Sequence, residues 1–342
     1  MSTRAFISGV SGLEVTAEER SFFQAQRPWG FILFKRNVDT PAQVAALAKD
    51  LRDSIGAPDA PVLIDQEGGR VARLTPPHWP VYPPGAVFGT LYDIEPELGL
   101  TAARLSARLI AADLAELGVS VDCLPLADVP VAGADAVIGN RAYGTEPAKV
   151  AAIARAVTDG LAQGGVLPVL KHIPGHGRAT ADTHFRLPVV DTARLDLERT
   201  DFAPFQALSD LPMAMTAHVV FSALDGAQPA TTSATIIEQV IRGWIGFQGL
   251  LMSDDVSMNA LAGSIAERTA AIVAAGCDIV LHCNGKLDEM QAVAGQTPLL
   301  SGLALERAKR ALASRKAALP FDRGAARAEL DELIKRAGVA SA

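Results

Sequence analysis

Basic clusters are missing from this 342-residue chain: 31 Lys and Arg stand against 38 Asp and Glu, a formal charge of −7, with the cations scattered. A nucleic-acid partner, whose phosphates demand a dense positive face, is thereby excluded. Cysteine is scarce as well. Cys123, Cys277 and Cys283 form neither a CxxC pair nor an even framework, and each sits in an apolar segment, the pattern of reduced core residues. No apolar run is long enough to cross a bilayer, since the stretch from Ala270 to Cys283 is cut by Asp278 and His282. The opening residues lack a secretory apolar core and soon reach Glu14, Glu18, Glu19 and Arg20. Internal repeats and low-complexity tracts are also absent. These absences lead us to expect a cytoplasmic, monomeric protein with no membrane partner.

What is present is alternation. Short apolar runs recur at 5–10, 30–34, 61–65, 119–122, 166–170, 213–218, 250–254 and 278–282, with helix-compatible segments at about 16–27, 40–56, 96–117, 146–163, 195–210, 233–245, 258–275 and 286–315. Strand-helix alternation of this kind specifies a parallel sheet, and eight of each matches a (β/α)8 count. The expected fold is therefore α/β, a single TIM barrel, with residues 1–342 forming one catalytic domain and a last amphipathic helix at about 325–338. Thr40-Pro41 and Glu146-Pro147 open helices; Gly56, Gly118 and Gly164 close them. Five prolines between Thr75 and Gly89 predict an irregular loop there.

Polar residues collect where these strands end, on the rim where a parallel barrel binds its substrates: Asp65, Asp122, Lys171-His172, His218, Asp254-Asp255 and His282. Any one of them would be an ordinary helix cap; six positions on one rim are harder to dismiss. The run Val166–Leu170 predicts a strand that stops at Lys171-His172, followed by a loop through Ile173-Pro174-Gly175-His176-Gly177. Beyond it Asp182 and His184 set a carboxylate beside an imidazole, a pairing suited to proton transfer. Asp65-Gln66-Glu67-Gly68-Gly69-Arg70-Val71-Ala72-Arg73 reads either as a ligand-gripping turn or as an ion-pair turn satisfied within itself. At Asp254-Asp255 strand alternation turns one carboxylate toward a pocket and the other toward a support role, without saying which.

Together, Lys171-His172-Ile173-Pro174-Gly175-His176-Gly177, Asp182-Thr183-His184, Asp65 to Arg70 and Gly249-Leu250-Leu251-Met252-Ser253-Asp254-Asp255 resemble glycoside hydrolase family 3, within it the bacterial β-N-acetylglucosaminidases of peptidoglycan recycling. That resemblance implies a barrel enzyme that releases terminal β-linked N-acetylglucosamine with retention. It implies Asp254 as nucleophile, His184 as acid/base and Asp182 as the partner of His184. It also implies Asp65, Arg73, Arg141, Lys171 and His172 as substrate-binding residues, a saccharide from muropeptide fragments as the ligand, and no cofactor or metal. Departures from the family pattern are Ile173, Thr183, Trp244 and Asn140; the last removes a possible partner for Arg141.

An imidazole with an ordinary pKa near ~6.5 can act as acid in the first step and base in the second without a carboxyl being tuned upward. The glycines and proline at 174–177 border a long loop, so His184 is expected to swing away from an empty site. Three rivals stand beside this reading. His172, His176, Asp182 and His184 could hold a metal for hydrolysis, phosphate could replace water in a phosphorylase on the same scaffold, or the barrel could bind sugar without catalysis.

Overall fold

Eight parallel staves form the centre of the chain in the computed structural model, which describes residues 2–183 and 186–338. They are β1 (Arg4–Ser8), β2 (Pro28–Leu33), β3 (Val62–Ile64), β4 (Val121–Asp122), β5 (Leu167–Pro168 and, past Val169, Leu170–Ile173), β6 (Met213–Thr216), β7 (Leu250–Asp255) and β8 (Ile279–His282). Each pairs in parallel with the next, and β8 returns to β1 through Phe6↔Val280 and Ile7↔Leu281. The fifth stave closes the ring. Its first half pairs β4 at Val121↔Leu167, while its second half pairs β6 at Leu170↔Ala214.

Strand alternation sorts the apolar residues into two cores. Ile7, Ile32, Leu63, Val121, Val169, Met252 and Leu281 point inward and fill the ring. Their neighbours Phe6, Phe31, Val62, Leu170, Leu251 and Val280 point outward against the helices. Burial on both faces explains why the strands read as unbroken apolar runs.

The helices follow the expected rhythm, with corrections. Thr40 caps Pro41–Ile55 by accepting the Gln43 N–H, and Gly56 ends that helix at φ 60°. The proline-rich segment expected to be irregular instead contains a helix, Gly85–Ile94, starting directly after Pro84. The expected helix at 195–210 is two short ones, Arg194–Arg199 and Ala203–Ala207. That at 258–275 begins only at Ile265, behind a Ser264 cap. The one at 286–315 is interrupted between Gln296 and Gly302, where Pro298 cannot continue it. The final helix, Arg323–Arg336, buries Leu330, Leu333 and Ile334 and pairs Arg323 with Asp113 and Glu116 across helix Pro96–Glu116. Among the described residues no helix is long and apolar enough to cross a membrane.

Candidate active site

Lys171 and His172 lie within β5 rather than beyond it, because the strand runs on to Ile173. A charged residue 2% exposed inside a barrel strand demands compensation. Lys171 finds it in Asp65, whose Oδ1 accepts from Nζ at 3.0 Å, and in Glu67, 2.6 Å away. Asp65 also accepts from Arg73 at 3.0 Å. Glu67 in turn takes both prongs of Arg141, Nε at 2.9 Å and Nη2 at 2.7 Å. The 65–73 turn is therefore only partly satisfied within itself, through Arg73 and Asp65. Glu67 also answers the question raised by Asn140: Arg141 is oriented from the loop after β3 instead of by its neighbour.

Two glycines fold that turn. Gly68 and Gly69 have φ of +98° and +56°, and a Cβ on Gly68 would stand 2.4 Å from the Pro83 carbonyl oxygen. Burial by itself would raise the carboxyl pKa values, but Lys171 with Arg73 holds Asp65 well below the usual range, and Lys171 with Arg141 brings Glu67 down to about 2. Lys171 is correspondingly pushed up, the two carboxylates overcoming its desolvation.

The loop after β4 contributes Asp128, which is fully buried. Its Oδ2 lies 2.7 Å from His172 Nδ1, and its Oδ1 accepts the backbone N–H groups of His172 (3.3 Å) and His176 (2.7 Å). One carboxylate thus holds a ring and the turn after it. The chain comes so close here that a Cβ on Gly177 would meet the Val129 carbonyl oxygen at 2.0 Å. His176 packs against His172 with centroids 5.5 Å apart. Burial, together with the His172 ring, depresses the His176 pKa to about 4, so its imidazole is neutral near pH 7.

At the end of β7, Asp254 is 7% exposed, and its Oδ1 accepts the Asp255 N–H at 2.8 Å. Burial opposes its charge, yet the imidazoles of His218 and His172 outweigh that and leave the carboxyl below its ordinary range. It is an ionised carboxylate. Asp255 takes the support role, accepting from Cys283 N–H at 3.1 Å and from the Ser257 hydroxyl at 2.6 Å. His218 is buried at the rim, with Nδ1 2.8 Å from the Thr231 hydroxyl and Nε2 3.0 Å from the Asp255 carbonyl oxygen.

Asp65, Arg73, Arg141, Lys171, His172, Asp182 and Asp254 line one cavity of about 320 Å³, together with Met258. Seven of the eight expected site residues are thus brought together. His184 lies outside the described residues. Among the described residues no group of three or more His, Cys, Asp or Glu could hold a metal ion; the cluster considered above included His184.

Sequence reasoning passed over Glu67 and Asp128 as functional residues. Asp128 did carry a signal: a lone acid in the apolar run from Leu124 to Val131 must be bonded to something. Asp122, counted among the rim residues, is instead buried completely and donates nothing to the cavity lining. Its Oδ1 accepts the Gln66 N–H at 3.0 Å, and burial raises its pKa well above the carboxylate range. Because a raised acid pKa costs stability above the unfolded pKa, Asp122→Asn should be as stable as the parent at neutral pH or more so. Its turnover should stay within about threefold, since no cavity charge changes. A urea midpoint at neutral pH lower in the variant would contradict this expectation.

The sequence model of the glycosyl hydrolase family 3 N-terminal domain matches residues 8–312. A β-hexosaminidase of Xanthomonas campestris is 39% identical over 296 residues, 84% of this chain and 88% of the relative. One from Bordetella avium is 37% identical over 279 residues, covering 80% and 79%. The fold superposes on NagZ from Neisseria gonorrhoeae, solved in complex with N-trifluoroacetyl-D-glucosamine, with a TM-score of 0.87 at 30% identity, over 98% of this chain and 99% of that one.

Proposed function

Because the chain belongs to glycosyl hydrolase family 3 and is a β-N-acetylhexosaminidase, we propose that it removes terminal β-1,4-linked N-acetylglucosamine from muropeptide fragments with retention, through a glycosyl ester on Asp254. The observation that carries the reading is a buried, ionised Asp254 sharing one cavity with a polar cradle built from Asp65, Arg73, Arg141, Lys171 and His172. In the first step an Asp254 oxygen bonds to the anomeric carbon as the glycosidic bond breaks, and His184 gives its proton to the departing oxygen. In the second, water attacks the same carbon, His184 takes the water's proton, and Asp254 leaves as a carboxylate. Asp182 orients the His184 ring and favours its charged form, an opposite charge nearby raising an imidazole pKa. The cradle fixes the sugar so that its anomeric carbon faces Asp254.

The NagZ neighbour holds an N-acylated glucosamine, which supports the choice of sugar. The whole chain acts as one catalytic unit, a monomer working in the cytoplasm, where its three free, buried cysteines stay reduced. An aryl β-N-acetylglucosaminide should be hydrolysed at least about a hundredfold faster than the matching glucoside, a difference of one recognised polar substituent. A slow fluorinated substrate should leave its sugar on Asp254. Label on another residue, or none while hydrolysis continues, would overturn the assignment. Turnover that depends on added phosphate would favour the phosphorylase reading.

A further inference from the structure

We infer that Glu67 is a positioning residue for substrate binding: it holds Arg141 and Lys171 so that both cations face the cavity that takes the sugar. Glu67 is absent from the lining of the 320 Å³ cavity, whereas both its partners line it. Its side chain is 5% exposed, against 11% for Arg141 and 2% for Lys171. Three consecutive stave ends meet at this one group: Glu67 follows β3, Arg141 comes from the loop after β4, and Lys171 sits on β5. Glu67 thus stands behind the substrate wall and braces it.

The chemistry of the joint fixes its tolerance. Oε1 receives Arg141 Nη2 and also faces Lys171 Nζ, while Oε2 receives Arg141 Nε. All three neighbours are donors, so the joint needs two acceptor atoms. A glutamine has the same shape but only one. With its oxygen kept between Lys171 and Nη2, its amide N–H would face the Nε–H of Arg141, donor against donor. The guanidinium would then lose its Nε bond and keep only the Nη2 bond to that oxygen and the Nη1 bond to the Val137 carbonyl oxygen at 3.2 Å, a weaker hold that lets it shift in the cavity wall. Lys171 would keep Asp65, so its displacement should be smaller.

This inference rests on the proposed roles of Arg141 and Lys171 in holding the sugar, and its test separates the two. Glu67→Gln should raise KM for an aryl β-N-acetylglucosaminide by about tenfold or more, with a smaller loss in kcat, because a buried charge pair has lost one partner. Glu67→Asp, which restores both acceptors at a shorter reach, should recover part of that loss. Arg141→Gln alone and the Glu67→Gln/Arg141→Gln double variant should differ by no more than about twofold, since Glu67 acts mainly through Arg141 while Lys171 keeps its bond to Asp65. If Glu67→Gln cannot be purified folded, the same cycle run with Glu67→Asp decides the matter. An unchanged KM in a folded variant, or losses that multiply in the double variant, would overturn the inference. A parent enzyme inactive on the N-acetylglucosaminide would instead overturn the proposed function.

Discussion

Asp254→Asn is expected to lower turnover of an aryl β-N-acetylglucosaminide by on the order of 10⁴-fold or more, while the protein remains folded and still binds N-acetylglucosamine. The size of the loss follows from the kind of group removed. A carboxylate can form and later release a glycosyl ester, whereas a neutral amide oxygen is a poor nucleophile and a poor leaving group. The fold should survive because the neighbours of Asp254 need little from its charge. The amide oxygen can still accept the Asp255 N–H, and the bond at 3.3 Å to the Thr216 hydroxyl comes from the backbone of residue 254, which does not change. Steady-state rates measure the first expectation and calorimetric binding of the sugar the second. A variant that retained a few per cent of parental kcat would remove Asp254 from the nucleophile's role.

Lys171→Met should cost about 3–5 kcal/mol of stability near neutral pH, the usual consequence of taking one partner out of a buried ionic cluster. Methionine fills the volume, but Asp65 and Glu67 then remain charged with only Arg73 and Arg141 beside them. The pH dependence has a definite sign. In the parent, Glu67 is depressed to about 2 by its cationic neighbours despite burial. The stability it contributes is therefore fully present above its unfolded pKa of about 4.3 and is lost as pH falls through the folded value. Asp65 behaves likewise, with its folded pKa also lowered. Without Lys171 the desolvation of both carboxyls is less opposed and their folded pKa values rise, so they take up protons earlier on acidification. The variant's deficit should accordingly shrink between about pH 7 and about pH 4. Urea midpoints at the two pH values test this. A deficit of equal size at both would mean that Lys171 stabilises by packing alone.

Much of the barrel could be read because both faces of its strands are apolar. The cores around Ile7 and Phe6, or Leu63 and Val62, need no polar alternation, so each stave stood out as an uninterrupted run. That same criterion failed at β5. Lys171 and His172 end the apolar run and so mark a strand end by hydropathy, although the strand continues to Ile173. Hydropathy registers a lysine as polar but not the two carboxylates that neutralise it, which lie 106 and 104 positions earlier in the chain. The helix Gly85–Ile94 was hidden for a different reason. Proline-rich sequence reads as loop, yet the last of these prolines stands immediately before the helix, where it costs nothing.

The residues facing the cavity were legible from their chemistry and the resemblance, and those behind them were not. Asp65 and Asp254 lie at strand ends of the barrel and Lys171 two residues short of one, positions that carry information about binding. Glu67 and Asp128 act on partners brought near only by the ring. Arg141 is 74 residues from Glu67, and His172 is 44 from Asp128. No local period encodes such distances.

Closure of the ring also governs how this chain can be made. β1 is complete within the first ten residues and can pair with β2 early, but its opposite edge is answered late, by Val280, Leu281 and His282 of β8 and by Leu299 beyond it. While the chain emerges from a ribosome, the unfinished sheet presents two bare strand edges, rich in β-branched and aromatic side chains, to whatever lies nearby. Delayed translation of the stretch before Ile279 should therefore expose this protein to aggregation more than a pause after Leu300 would.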